Sequence, residues 1–486
     1  MTRARHGERE RWAAFAVCLC AAGLAVLDIA KVNVAVPAIQ SSLGAGPMAV
    51  QLIVAGYVLA FGVALVPFGR AGDLHSRRAM FVVGLVVFGV ASVACAFAAN
   101  TEMLVAARLL EGVGAGAMMP QALGLIRQLF TGAALGRAFG VYGAMIGLTL
   151  AIAPPLGGLL VGLGGEAWGW RLVFLMNVPP TLALIGLALV LLPAVRARPR
   201  VRVDLDPLGV ALLALATLTL MAPFILTTGS ASDDPRRWLL LGAAALAGLA
   251  FALWERGYAR RGRTPVVDIA LFRDRGFRNG VLISLVYYAG SPAALLLTTL
   301  YFQLGLGASA PIAGLAILPF AVAYTATAWW SGRATHRWGR RLVIGGLALA
   351  VAGWLLAALV PLLLPAEAVL WALPCVLVVA GAGAGAVAAP NQTLTLTNVP
   401  ITMGGLAGSI SQVAQRLGAA VGIAVVTAVF YGTIAADSPF AGAGTAYRHG
   451  YREAMFATLA IFLVALVIAV FDERWRRRNG VRPVAH

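Results

Sequence analysis

Charge, histidine and cysteine are all scarce in this chain, and each shortage removes a class of function. Only 12% of the 486 residues are charged, against 60% hydrophobic, and the mean hydropathy is +0.88. A soluble domain cannot keep so few charges on its surface, whereas a chain that crosses a bilayer many times is built this way. The five histidines are scattered, and no loop gathers them into a catalytic cluster, which speaks against a membrane-embedded transferase and leaves it the remoter alternative. Cys18, Cys20, Cys95 and Cys375 all fall inside apolar runs, which speaks against disulfides and against a metal site. No GxxxxGK[ST] phosphate loop occurs, so ATP is not the expected energy source. The GAGAGA run at residues 381–386 follows no strand, and it reads as small-residue packing rather than a dinucleotide site. No cofactor is expected. Lysine occurs once, as Lys31, and that one lies inside an apolar run.

What the chain does have is arginine, in short loops between long apolar stretches. The net charge of +18 is spread over those loops and forms no single basic face, which excludes nucleic acid as the expected partner. A helix needs roughly 20 apolar residues to cross a bilayer. Fourteen stretches qualify: 12–37, 48–68, 79–98, 103–126, 136–163, 172–195, 207–228, 238–254, 277–304, 312–330, 342–364, 368–389, 405–430 and 454–471. With the N-terminus inside, 29 of the 36 arginines fall in cytoplasmic segments, including 70–78, 127–137, 196–202, 256–278 and 333–341. That bias places both termini in the cytoplasm and the protein in the cell membrane as a multi-pass chain, with acidic lipid as a surface partner. The basic start lacks a cleavage site and reads as a retained tail.

One basic loop occurs twice. GRAGDLHSRR at residues 69–78 and GRATHRWGRR at 332–341 share Gly-Arg-Ala at the start and Arg-Arg at the end. They follow the second and the tenth span. A 6+2+6 plan therefore places both at the same point of a six-helix half. Internal repeats of this kind are the mark of secondary transporters. The expected organisation is a six-helix half at 1–195, a linker with two extra spans at 196–262, an amphipathic interfacial segment at 263–276, a second half at 277–471 and a tail at 472–486.

At these residues the chain resembles a known family. GRAGDLHSRR resembles the signature loop of major facilitator superfamily transporters, and the whole chain resembles their fourteen-span drug:proton antiporters of the QacA/EmrB type. The resemblance implies an all-α fold of two pseudosymmetric six-helix bundles plus two inserted helices. It also implies a conformational switch at Gly69, Gly72, Asp73, Arg77 and Arg78. Leu74 and Ser76 depart from the usual Arg and Gly. RLLEGVGAGAMMP at residues 108–120 resembles the superfamily's span-4 motif, with Glu111 where Gln is usual. GVYGAMIGLTLAIAPPLGG at residues 140–158 resembles the antiporter motif of exporters, carried here by Gly147, Pro154, Pro155, Gly157 and Gly158. Ala153 replaces a usual Gly there. Small residues let helices touch, and prolines bend them. WRLVFLMNVP at 170–179 and TPVVDIALFRDRGF at 264–277 resemble stretches of the fourteen-span subfamily.

Five charges fall well inside spans, away from their ends. Asp28 and Lys31 sit one helical turn apart in span 1, where Lys31 replaces a usual apolar residue; Arg108 and Glu111 do so in span 4. The spans run in opposite directions and place the four at similar depth. Each lone charge at the bilayer centre costs roughly 2.5–3.5 kcal/mol, so pairing or a wet cavity is nearly forced. The expected pairs are Asp28 with Arg108 and Lys31 with Glu111, which sum to zero. A carboxylate, Asp28 first and Glu111 second, is the expected carrier of the coupling proton. Arg416, mid-span in QVAQRLGAAVG, either faces the cavity or snorkels. Together these residues are the expected proton-coupling and cavity set. The expectation is a monomeric, proton-driven exporter of a lipophilic small molecule, monovalent, neutral or zwitterionic, working by alternating access. A transporter of one specific metabolite, in either direction, is the alternative.

Overall fold

In the computed structural model, described for residues 7–193, 206–225, 234–261, 263, 265, 269–400, 403–437 and 443–478, helices make up nearly all of the chain. The first six are α1 (Glu8–Leu43), α2 (Pro47–Leu74), α3 (Arg77–Ala96), α4 (Thr101–Leu129), α5 (Gly132–Leu175) and α6 (Val178–Leu191). Then come α7 (Pro207–Ile225) and α8 (Leu239–Arg260). The last six are α9 (Arg275–Leu300), α10 (Ala310–Trp338), α11 (Arg340–Leu363), α12 (Ala366–Thr397), α13 (Gly404–Asp437) and α14 (Ala443–Arg478). Thirteen helical stretches among the described residues are long and apolar enough to cross a membrane, and Pro207–Pro223 is a shorter apolar one.

Helix α5 holds a crossing and the start of the next. Gly165 has φ 62° and ψ −163°, a conformation closed to L side chains, and the chain turns back there. A Cβ on Gly169 would lie 2.4 Å from the Val161 carbonyl oxygen, so the returning limb can approach only as glycine. The two limbs give the spans Gly132–Gly165 and Trp168–Leu191.

Close helix contacts rest on small residues, as the glycine content predicts. Glycines of the GAGAGA run alternate between two neighbours: Gly381 and Gly385 press on α10 at Phe320 and Tyr324, and Gly383 presses on α11 at Ala350. In the second half the buried core is apolar and aromatic, around Phe320, Trp354, Phe430 and Phe462. Helices α7 and α8 pair with each other, and α7 leans on α2 where Met221 meets Gly62.

Both helical ends of the chain lie at one face. Trp12 packs on Phe130, ring centroids 4.8 Å apart. Arg127 reaches the Val399 carbonyl at 2.5 Å, and the neighbouring Asn398 contacts Asp274. Gly276, two residues on, lies beside Arg476. This is called the terminal face below. The loop at residues 196–202, the loop around Ser232 and both outer tails lie outside the described residues. So do Thr264 and residues 266–268 of the expected interfacial segment. Its described part is a 3-10 turn, Ile269–Arg273, with Leu271 buried and Phe272 edge-on to Phe277. Asp274 then caps α9 by accepting from the Phe277 N–H at 2.7 Å.

Candidate functional site

Four of the five interior charges meet in one place. Helix α4 carries Arg108 to Asp28 of α1 at 2.5 Å, and the same nitrogen reaches Glu111 at 2.7 Å. Arg108 also donates to the Ile53 carbonyl at 3.0 Å, and its guanidinium lies 4.4 Å over the Tyr57 ring. The expected contact of Asp28 with Arg108 is therefore present. The expected contact of Lys31 with Glu111 is not. Lys31 folds back on its own helix to Asp28 at 3.4 Å and donates to the Asn177 side-chain oxygen at 2.5 Å. Asn177 stands between the two: its amide nitrogen donates to Asp28 at 2.9 Å and to Glu111 and the Ser92 hydroxyl, each at 3.2 Å. Ser92 completes the ring by donating to Glu111 at 2.5 Å.

The physical reason is reach. Residues i and i+3 on one helix face are neighbours, so Lys31 finds Asp28 without crossing to α4. Asn177 offers both an acceptor and two donors and fits between an ammonium and a carboxylate. Sequence reasoning missed it. Asn177 sits inside the quoted stretch at 170–179, and a lone Asn before Pro-Pro in an apolar span was the available signal. The four charges are no more than 1% exposed, and they sum to zero. They lie within the first half, braced by α3 and the start of α6, rather than on an open wall.

The fifth charge is elsewhere. Arg416 of α13 is half-buried and lies over Phe61 of α2, 4.6 Å from the ring centroid. Tyr57 and Phe61 stack edge to face at 6.0 Å, so one aromatic pair separates Arg416 from Arg108.

A second constellation joins the halves near the terminal face. Asp73, at the end of α2, accepts from Arg77 at 2.6 and 2.8 Å. The same carboxylate accepts from the backbone N–H groups of Gly405 and Leu406, at 3.1 and 2.9 Å, in the first turn of α13. It is a side-chain cap supplied by the opposite half, placed where a helix N-terminus favours negative charge. Arg77 also donates to the Gly124 carbonyl at 3.1 Å. Gly69 packs against α13, where a Cβ would fall 2.1 Å from the Ser409 hydroxyl, and Gly72 packs on Gln121 of α4. Arg78 turns outward and holds the end of α6 through the Leu189 and Leu192 carbonyls.

Helix α5 packs between the two halves. Near the terminal face, Gly136 and Gly140 meet Gly332 of α10, and Gly147 meets Thr325. On its other side Met145 and Thr149 meet Gly23 of α1, and beyond Pro154 and Pro155 Gly157 rests on the Lys31 backbone of the same helix. Two consecutive prolines remove ladder hydrogen bonds from α5 at that level.

Comparison with known proteins adds the following. The sequence model of the Major Facilitator Superfamily matches residues 18–423. A probable actinorhodin transporter of Streptomyces coelicolor is 37% identical over 88% of this chain and 74% of its own length. A puromycin resistance protein of Streptomyces alboniger is 33% identical over 94% of this chain and 90% of its own. A tetracenomycin C resistance and export protein of Streptomyces glaucescens is 31% identical over 83% and 73%. Among solved structures, a human organic anion transporter aligns with TM-score 0.66 at 14% identity, covering 94% of this chain and 99% of that one. The proton:xylose symporter XylE aligns at 0.62 and 16%, covering 95% of each. At those identities the likeness is one of fold.

Proposed function

The chain belongs to the Major Facilitator Superfamily, a family of transporters and not of enzymes, and from that premise we propose that it is a proton-driven exporter of lipophilic small molecules. The observation that carries this reading is where the halves touch. The cross-half contacts of Asp73, Gly69, Arg127, Gly136 and Gly140 gather toward the terminal face. Two bundles held at one end by a few polar contacts can rock, and so expose a central site to each side in turn. With both termini in the cytoplasm, as the arginine bias supports, the latched face is the inner one and the state is outward-facing. Relatives named for tetracenomycin C resistance and export and for puromycin resistance support efflux.

Within this scheme the sealed cluster is the proton site. Protonating Asp28 or Glu111 removes a partner from Arg108 and leaves the cluster one positive charge in excess. That charge is costly in a membrane interior unless neighbouring helices move to relieve it. Proton entry is driven in part by the membrane potential, worth about 2.3 kcal/mol per charge per 100 mV. The protein works as a monomer in the cell membrane. The test uses everted vesicles with an acid interior and a pH-sensitive dye. Aromatic antibiotics added outside should be taken up and should dissipate the gradient, and a protonophore should stop uptake. Uptake that persists without a gradient would refute proton coupling.

A further inference from the structure

Of the five charges placed inside spans, Arg416 is the one that forms no ion pair among the described residues. Arg416 stands about 18 Å along α13 from its first residue, at 1.5 Å per residue. Among the described residues it forms no ion pair, whereas Asp28, Lys31, Arg108 and Glu111 are connected by ion pairs and balance each other. Its surroundings come from both halves. Phe61 lies under the guanidinium, and Tyr57, Tyr142 and Tyr288 lie within electrostatic reach. Gln412 bonds Tyr142, and Gln415 bonds Gln392 at 3.1 Å. The wall is therefore aromatic and amide, with a net charge of +1 from a half-buried side chain. A half-buried cation without an acid partner keeps its hydration, and a lipophilic compound that displaces that hydration must offer something in its place.

We infer that Arg416 is the anchor for an acidic group on the transported compound, and that the substrate class is aromatic acids: flat ring systems bearing one ionised carboxyl or acidic phenol. This rests on the exporter reading above and narrows it. A guanidinium presents forked N–H donors that match a carboxylate, and the half-buried Tyr288 offers an aromatic surface beside it. A cationic compound at the same place meets like charge in a low dielectric and is disfavoured. The expected discrimination is by charge, not by size.

The experiment measures binding, so it stands apart from pumping. Purified protein in detergent is titrated with anthraquinone-2-carboxylate, with its carboxamide and with a trimethylammonio anthraquinone. The carboxylate should bind at least about tenfold tighter than the amide, as a charge-assisted pair implies. The cation should bind weakest. Arg416→Gln should bring the carboxylate-to-amide ratio close to one. Arg416→Lys, which keeps the charge in the same space, should retain part of the preference. No saturable binding of the carboxylate, tighter binding of the cation, or an unchanged ratio in Arg416→Gln overturns the inference. If the charge preference holds in binding but no compound is driven by a proton gradient in vesicles, the inference stands and the exporter reading falls.

Discussion

The two copies of the basic loop are alike in sequence and differ in use. Their first glycines still do the same thing: Gly69 presses on α13, and Gly332 presses on α5, each the fifth helix of the opposite half. Their polar residues do not. Asp73 caps α13 across the interface, while its counterpart His336 is exposed and bonds the Arg333 carbonyl of its own helix, at 2.8 Å. Thr131, at the start of α5, makes no side-chain cap. Arg77 supports Asp73, but its counterpart Arg340 turns into its own half, to Asp472 at 2.8 Å and Asn391 at 2.6 Å. Backbone approach needs only small residues and survives in both copies. A carboxylate cap needs one particular side chain, and only the first copy keeps it. The latch is one-sided as a result.

The contrast between the halves can be broken most severely at Arg108. Arg108→Ala leaves Asp28 and Glu111 with Lys31 alone, and roughly 3–5 kcal/mol should be lost, read as a fall in melting temperature and in yield. Arg340→Ala should cost less, because Arg476 still holds Asp472 at 3.1 Å. Equal losses would show that the two buried networks bear the same strain.

Next comes the latch. Removing a charge-assisted cap worth ~1.5–3 kcal/mol should change the balance of the two faces about tenfold or more. Asp73→Asn should therefore cut transport steeply while substrate still binds with near-normal affinity. His336→Asn should leave the transport rate nearly unchanged. A matching loss from both would deny the asymmetry.

A smaller effect is expected from the pair that Asn177 separates. Lys31→Val and Glu111→Gln should each destabilise, and the double change should recover, with a coupling energy of about 1–2 kcal/mol in a double-mutant cycle. Simple additivity would mean that the amide insulates the two charges completely. Smallest of all is a gain. His336→Asp would supply the second loop with the acid it lacks. It should cap the start of α5, raise stability by about 0.5–1 kcal/mol and slow export. No change in either measurement would mean that the loops are not equivalent in space.

Much of the fold was legible because its signals are local and large. Apolar runs of about twenty residues, arginine in alternate loops and a decapeptide that recurs are one-dimensional facts. The Gly165 turn inside α5 was not legible, since hydropathy does not see a φ angle. Within the site, the meeting of Asp28 with Arg108 followed from the cost of burying four charges in two antiparallel spans. The role of Asn177 did not, because a neutral amide carries no such cost and so leaves no trace in charge bookkeeping.

By itself, the sequence determined that this protein lives in a membrane, has two related halves and must compensate the four charges of spans 1 and 4. The solvent imposes those terms on composition before any fold is chosen. Only the tertiary structure decided which residues pair, that the cluster is sealed inside one half, and that Arg416 stands alone between the two. Those outcomes depend on side-chain reach across helices whose rotation and offset are set by packing, and no local pattern in the chain encodes them.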